Sequence, residues 1–180
     1  MGPYLTKDER RELLEIARRA ASSYVKDGKV PEERPGSTKL KEPGAAFVTL
    51  TRHGRLRGCI GYTQAISPLY RTVQECAVAA ATEDTRFAPV EPGEIKDIRI
   101  EISVLTPLVP IRPEDVEIGV HGLMVRKGSF RGLLLPQVAT EYGWDRRAFL
   151  SNTCSKAGLP ADEWEKGAEL FSFTAEVFGE

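Results

Sequence analysis

Residues 45–62 read AAFVTLTRHGRLRGCIGY, two runs rich in β-branched and aromatic residues that are separated by His53-Gly54. Two such runs around a two-residue turn that ends in glycine are typical of a β-hairpin. The stretch therefore predicts two antiparallel strands that are joined at His53-Gly54.

Regular pairing on either side of this turn sets a register for the hairpin. In that register Cys59 lies opposite Val48, and Ile60 lies opposite Phe47. Arg57 and Cys59 then share one face of the second strand, because side chains alternate along a strand. The other face carries Leu56, Gly58 and Ile60.

Helical patterns stand on both sides of the hairpin. Thr6 and Glu9 form a capping box before a run of apolar residues at helical spacing, and Gly28 is suited to end this first helix. Ser67-Pro68 predicts the start of a second helix, with serine as the N-cap and proline at the first helical position. Residues 30–44 are rich in Pro, Glu and Lys and predict an extended surface loop.

Further strands and helices follow along the chain. Apolar and polar residues alternate over 98–105, as in a half-buried strand, and residues 123–135 resemble a second hairpin. Pro136 begins a short helix, Asp145 caps another, and residues 170–178 form a closing strand. Mixed helices and antiparallel hairpins predict an α+β fold rather than a doubly wound parallel sheet.

Length, composition and charge bound the class of protein. A chain of 180 residues suits one domain or two tightly joined subdomains. No apolar run approaches the ~20 residues of a membrane helix. The N-terminus lacks the apolar segment of a signal peptide, so we expect a cytoplasmic protein without membrane contact. The net charge of −1 does not favour nucleic acid as a partner, although a local basic patch is compatible with it.

Cysteine and histidine usage argues against a bound metal. The three cysteines are odd in number and widely spaced, and only two histidines are present, which excludes a disulfide framework and a structural zinc site. We therefore expect no metal and no cofactor. Cys76 and Cys154 fall on the apolar faces of helices and are expected in the core. The chain has one asparagine and three glutamines, few thermolabile amides, which favours a thermophilic or GC-rich source.

The two hairpins echo each other in sequence. Residues 52–60, RHGRLRGCI, align without gaps to residues 126–134, RKGSFRGLL, and each hairpin leads to a helix associated with proline. Two interpretations stay open. The echo is either a pseudo-repeat that brings two basic hairpins to one site, or a recurrence of a good hairpin turn.

The richest group of candidate site residues surrounds Cys59. An arginine near a thiol favours the reactive thiolate, which makes Arg57 a candidate partner. Gly58 and Gly61 bracket the cysteine, and glycines inside a strand mark a bulge or a close approach to the backbone. The alternative is that Cys59 is a small buried residue packed as a hydrophobe.

Other candidates lie elsewhere in the chain. Glu101 is either a general base or the cross-strand partner of an arginine. His121 has the chemistry of an acid, a base or a hydrogen-bond donor. Asp84 and Arg86 follow a helix end and predict a capping turn with a local ion pair. Gln137, at a helix start, is either a ligand donor or a cap.

The run LRGCIG at residues 56–61 resembles the signature of the AMMECR-type domain family, named for the Alport syndrome, midface hypoplasia and elliptocytosis chromosomal region gene. The resemblance extends over nearly the whole chain. It continues through Asp84-x-Arg86-Phe87, residues 100–105 and 121–123, residues 132–138, Trp144 and Trp164.

The resemblance implies a single family domain over residues 1–180, built as two α+β subdomains with a cleft between them. No settled activity belongs to the family. Its prokaryotic members, of the AmmeMemoRadiSam type, are often encoded beside or fused to a Memo-like domain and beside a radical SAM enzyme. These neighbours imply a shared pathway that acts on a small molecule or modifies a macromolecule.

Two functions follow as hypotheses. In the first, a cleft binds a small anionic ligand and acts on it. Its ligand contacts would be Arg57, Gly58, Gly61, Arg86 and Gln137, and its reactive groups Cys59, Glu101 and His121. In the second, the hairpin arginines hold RNA or a protein partner, and Cys59 is structural.

Overall fold

The structure is a computed structural model that describes residues 4–180. Its helices and antiparallel sheets confirm the α+β class. In chain order the elements are α1 (Lys7–Asp27), β1 (Ala45–Arg52), β2 (Arg55–Tyr62), α2 (Leu69–Thr82), β3 (Ile98–Leu105), β4 (Val109–Pro110), β5 (Gly122–Lys127), β6 (Phe130–Leu134), α3 (Pro136–Glu141), α4 (Arg146–Lys156), β7 (Glu169–Phe173) and β8 (Ala175–Gly179).

The chain divides into two compact units. The first runs to Leu105 and takes in Glu176–Glu180, and the second comprises Thr106–Ala175. Within residues 4–180, none of the helices combines the length and the apolar character that crossing a membrane would need.

A four-stranded sheet in the order β2-β1-β3-β8 forms the base of the first unit. One face of this sheet packs against α1 and α2, and we call it the helix face. The residues buried on the helix face are the even-numbered ones over 46–50 of β1 and 98–104 of β3, whereas the alternate residues point to the outer face. The core of this unit includes Leu13, Ala17, Val48, Leu50, Val73, Ala77, Ile100 and Ile102.

The β1–β2 hairpin has the predicted turn but a different register. Both residues of the His53-Gly54 turn have positive φ, 51° and 75°, as a type I′ turn requires. Arg57 is an extra residue without a partner in β1, so the strand carries a β-bulge. Beyond the bulge Cys59 lies opposite Thr49. The predicted pairing of Cys59 was therefore wrong, because it assumed an unbroken ladder.

The helix boundaries follow their capping residues closely. Thr6 and Glu9 complete the capping box of α1, and Gly28 ends the helix with φ 65°. The start of α2 differs from the prediction, because Pro68 is itself the N-cap and Ser67 makes no capping bond. The Ser67 carbonyl instead accepts a hydrogen bond from the amide of Gly44.

Residues 30–44 contain little regular structure, as predicted, but they are anchored rather than free. Leu40 is fully buried in the core of the first unit. The Arg19 guanidinium binds the carboxylate of Glu33, and the hydroxyl of Ser37 donates to Glu9 of α1. One buried leucine and these polar contacts fix the segment on the surface.

The second unit has its own four-stranded sheet, in the order β4-β7-β5-β6. Leu123, Val125, Phe149 and Leu150 form its core. The single closing strand predicted over 170–178 is in fact two strands that belong to different sheets. They separate at Thr174, whose amide and carbonyl both bond to Thr106 instead of continuing the ladder.

Candidate functional site

Cys59, Thr49 and Glu101 form a row across the outer face of the first sheet. Thr49 pairs with Cys59 on one side and with Glu101 on the other. Thr49 Oγ1 and Cys59 Sγ lie 3.1 Å apart and share a hydrogen bond. The cysteine is half-buried and Glu101 is exposed. Within the described residues Glu101 makes no salt bridge, so the row offers a thiol and an unpaired carboxylate.

An aspartate and an arginine close the outer edge of β2 at Cys59. The Asp84 carboxylate accepts a hydrogen bond of 2.8 Å from the Cys59 amide. Arg86 binds the same carboxylate through Nε and Nη2, at 2.9 and 2.7 Å, and its Nη2 also lies 3.5 Å from the Cys59 carbonyl. The predicted ion pair at the end of α2 therefore exists, and it also holds the backbone of the cysteine.

The electrostatics of this pair follow from its geometry. The Arg86 guanidinium and the Cys59 amide hold the pKa of the Asp84 carboxyl well below its usual range, against the opposing effect of burial. The pKa of Arg86 is raised, mainly by its hydrogen bonds to Asp84 and to a lesser degree by the nearby Cys59 sulfur. Asp84 is buried, whereas 56% of the Arg86 side chain is exposed. A fixed positive charge thus lies at the backbone of Cys59, near enough to interact with its sulfur, and faces water.

Arg57 is engaged away from the thiol. Its Nε and Nη2 bind the Glu94 carboxylate, and its Nη1 and Nη2 donate to the carbonyls of Ala88 and Pro89. Arg52, on the helix face, binds the same carboxylate. Arg57 therefore points to the helix face, and the prediction that it shares a face with Cys59 was wrong because of the bulge.

The two glycines near Cys59 allow other parts of the protein to approach the strand closely. A Cβ at Gly58 would meet the carbonyl of Ala80, so the C-terminal half of α2 packs directly on the strand. A Cβ at Gly61 would meet the ring of Phe47. The close approach that these glycines predict is real, and the group that approaches each is a protein group.

Close packing at a glycine also explains the sequence similarity between the two hairpins. A Cβ at Gly132 would meet the backbone of Ala157, at the C-terminus of α4. Each repeated Arg-Gly pair therefore places a glycine where a helix end touches a strand within its own unit. This packing role favours the interpretation in which a good hairpin recurs.

Two predicted site residues belong to the second unit. His121 is half-buried, and its Nδ1 accepts a hydrogen bond of 3.1 Å from the Glu117 amide. That bond leaves Nε2 to carry the proton of the neutral ring. Gln137 is exposed in the first turn of α3, and its carbonyl accepts a hydrogen bond from the Thr140 hydroxyl. The outer-face row of the first unit contains neither residue.

The remaining cysteines have the predicted core positions. Cys76 and Cys154 are fully buried. Burial raises the pKa of the Cys76 thiol to about 12 and also raises the pKa of Cys154. Over the described part of the chain, no group of three His, Cys, Asp or Glu side chains is placed to hold a metal ion.

Sequence reasoning missed two members of this site. Asp84 was expected only in a capping turn with a local ion pair, and Thr49 was not among the candidates, because the regular register placed Val48 opposite the thiol. The signal for Asp84 was present in the family motif Asp84-x-Arg86-Phe87, which ties the aspartate to the same signature as the cysteine. Thr49 could be found only with the bulge in place.

Comparisons with known proteins agree with the fold and the motifs. A family model described as AMMECR1 matches residues 14–178. A protein from Methanothermobacter thermautotrophicus is 44% identical over 187 residues, which covers 98% of this chain and 96% of that protein. Protein MK0488 from Methanopyrus kandleri is 45% identical over 191 residues, with coverages of 100% and 92%.

A solved structure is also similar. The crystal structure of the uncharacterized protein PH0010 from Pyrococcus horikoshii is 42% identical, has a TM-score of 0.73, and covers 93% of this chain and 89% of its own. These archaeal relatives fit the thermophilic source that the amide content favours. The family match spans the motifs from which the resemblance was inferred, so the chain belongs to the AMMECR1 family.

Proposed function

We propose that the first unit binds a small anionic ligand at Arg86, at the outer edge of β2 next to Cys59. The observation that carries this proposal is that Arg86 is both rigidly held and exposed to solvent. Its guanidinium is fixed by two hydrogen bonds to buried Asp84, yet more than half of its side chain is exposed. A guanidinium held in this way has outward N–H groups ready for a carboxylate or phosphate at little entropic cost.

Of the two arginines predicted as anion contacts, the proposal keeps Arg86 and leaves out Arg57. All three nitrogens of Arg57 are bonded to protein acceptors, and only 16% of its side chain is exposed. Arg57 therefore stabilises the bulge, while Gly58 and Gly61 shape the strand. His121 and Gln137 belong to the second unit and are not part of this proposal.

Cys59 is the reactive group in this proposal, and Glu101 has a separate role. The thiol has a hydrogen-bonding partner in Thr49 and a cation beside its strand, the setting in which a cysteine acts as a nucleophile. Glu101 stands two strands away, which at the usual spacing is about 10 Å. It is therefore suited to contact or deprotonate a ligand that extends over Thr49, and too distant to act on the thiol directly.

The pathway part of the proposal rests on the family resemblance alone. It places the chain in one pathway with a Memo-like protein and a radical SAM enzyme. No residue contact in the described chain bears on these partners. The ligand would then be a small anionic compound, or an anionic group on a macromolecule, handled in that pathway.

The proposal is tested by titrating ¹⁵N-labelled protein with inorganic phosphate and with citrate. We expect saturable shifts of the Cys59 amide and of the Arg86 Nε–H, and binding at least about tenfold weaker in Arg86→Gln. Arg112→Gln is the matched control, because Arg112 is also exposed and binds an aspartate, Asp115, through Nε and Nη2. The control should bind the anions like the wild type.

The opposite result would favour a non-catalytic binding module with a structural Cys59. In that case neither anion would shift the Cys59 amide. A single-stranded RNA 12-mer would instead bind in fluorescence anisotropy, with a strong dependence on salt. That combination would overturn the small-ligand proposal.

A further inference from the structure

The outer edge of β2 is open at Gly61. β2 is an edge strand, because it is the first in the order β2-β1-β3-β8. The amide and carbonyl of Cys59 point away from the sheet, since both bond to side chains outside it. Gly61 is two residues further along, so its amide and carbonyl point outward as well. Asp84 and Arg86 bind the strand backbone only at Cys59. Within residues 4–180, the outward amide and carbonyl of Gly61 have no hydrogen-bonding partner.

A depression adjoins the open edge. It has a volume of about 390 Å³ and lies between the end of β2, the segment that follows it and α2. Tyr62 and Ile66 line it and are 45% and 77% exposed. Clefts of this size accommodate a long side chain or a small ligand. An extended chain paired with Gly61 could place one side chain into this depression.

The depression carries negative charge. Glu75 of α2 lines it, is exposed, and makes no salt bridge with any of the residues from 4 to 180. The charges of Glu75 and Glu83 also raise the pKa of Tyr62, after the larger effect of burial. An unpaired carboxylate beside an apolar wall suits a lysine or arginine, whose aliphatic stem packs on Ile66 while its charge reaches Glu75.

We propose that the open edge of β2 at Gly61 is a docking site for an extended segment of a partner polypeptide that carries a lysine or arginine. The segment pairs its backbone with Gly61, and its basic side chain enters the depression at Glu75. This is strand addition to a sheet edge, in which main-chain hydrogen bonds give affinity and a side-chain pocket gives specificity. The proposal is independent of anion binding at Arg86.

The charge of the site argues for a different polypeptide rather than a second copy of this chain. Pairing of β2 with β2 of another copy would bring two Glu75 carboxylates towards one edge, where like charges repel. Asp84 and Arg86 already occupy the edge at Cys59, which limits strand pairing to the few residues around Gly61. We therefore expect a weak and transient contact that depends on the basic side chain.

The test uses the full chain, labelled with ¹⁵N, and the acetylated and amidated pentapeptide Thr-Val-Lys-Val-Thr. We expect saturable shifts of the Gly61 and Tyr62 amides and hydrogen exchange at the Gly61 amide that is at least about fivefold slower. The same peptide with glutamate in place of lysine should bind at least about tenfold more weakly. In Glu75→Lys the preference between the two peptides should reverse.

Glu141→Lys is the matched control, because Glu141 is also an exposed helical carboxylate and belongs to the second unit. It should keep the preference of the wild type. An unchanged Gly61 amide at about 10 mM peptide would overturn the proposal, and so would equal binding of the two peptides. Dimerisation of the free chain in analytical ultracentrifugation, abolished by Glu75→Lys, would also overturn it in favour of a second copy.

Discussion

The side chains of Arg57 and Cys59 leave β2 on opposite faces of its sheet. Cys59 shares a hydrogen bond with Thr49 on the outer face, and Arg57 binds Glu94 together with Arg52 on the helix face. The two residues are only two positions apart, which in a regular strand would place them on the same face. The bulge at Arg57 makes the difference. It separates a structural arginine from the thiol.

This separation predicts that Arg57 has little influence on the reactivity of Cys59. We expect iodoacetamide to label Cys59 much faster than Cys76 or Cys154 at pH 8, because burial of those two thiols raises their pKa values, that of Cys76 to about 12. Arg57→Gln should change the rate at Cys59 less than about twofold. Arg86→Gln should slow it several-fold, because that guanidinium stands beside the cysteine.

Peptide mass spectrometry of the native protein across a time course measures all three rates in one sample. Slow and equal labelling of the three cysteines would contradict a reactive Cys59. A large effect of Arg57→Gln without loss of stability would contradict the assignment of faces.

Substitution of the packing glycines should destabilise both units. Gly58→Ala and Gly132→Ala each place a methyl group against helix backbone, at Ala80 and at Ala157, so each should cost about 1–3 kcal/mol or more in free energy of unfolding. Gly93→Ala is the control, because nothing lies within 4 Å of its added Cβ and its φ is ordinary. Urea denaturation measures the three values. Costs at Gly58 and Gly132 no larger than at Gly93 would refute the close packing.

The free energy of unfolding should depend on pH through Glu94. The hydrogen bonds from Arg57 lower the pKa of this carboxyl from 4.5 to about 2. Because the pKa in the folded protein is the lower one, the stabilisation is complete above about pH 4.5 and is lost as the pH falls towards 2. Glu94→Gln should therefore cost about 1.5–3 kcal/mol at pH 7 and progressively less below pH 4.5.

Urea titrations of the wild type and of Glu94→Gln at pH 7 and pH 3 measure this effect as the difference between the two proteins. Glu141→Gln serves as the control, since Glu141 is exposed in α3. If Glu94→Gln lowers the free energy of unfolding by the same amount at both pH values, the ion pair with Arg57 does not stabilise the fold.

The register of β2 predicts that alanine substitutions of two isoleucines lower the free energy of unfolding by different amounts. Ile100 is 1% exposed on the helix face, so Ile100→Ala should cost about 2–5 kcal/mol. Ile60 lies on the same face opposite Val48 but is only partly buried at the edge of the core, so Ile60→Ala should cost less. Chemical denaturation compares the two. A larger loss at Ile60 than at Ile100 would contradict the register.

Local signals in the sequence were sufficient for the elements. The His53-Gly54 turn, the capping box of Thr6 and Glu9, and the alternation over 98–105 each depend on residues within a few positions of one another. Steric and hydrogen-bonding preferences at that range are independent of the rest of the fold, so the α+β class and the main hairpins could be predicted.

The site itself depended on contacts between distant residues. The bulge at Arg57 exists where Glu94 and the carbonyls that follow α2 receive its guanidinium, more than thirty positions away. Asp84 meets the Cys59 amide across twenty-five positions. The closing strand divides at Thr174, because Thr106 takes its backbone hydrogen bonds.

The sequence by itself thus determined which residues form strands, turns and helices, and which family the chain resembles. Only the tertiary structure decided which face each side chain of β2 occupies and which arginine contacts the cysteine. The physical reason is the two-residue period of a strand. One extra residue reverses every face beyond it, and that residue is held in place by partners that no local pattern contains.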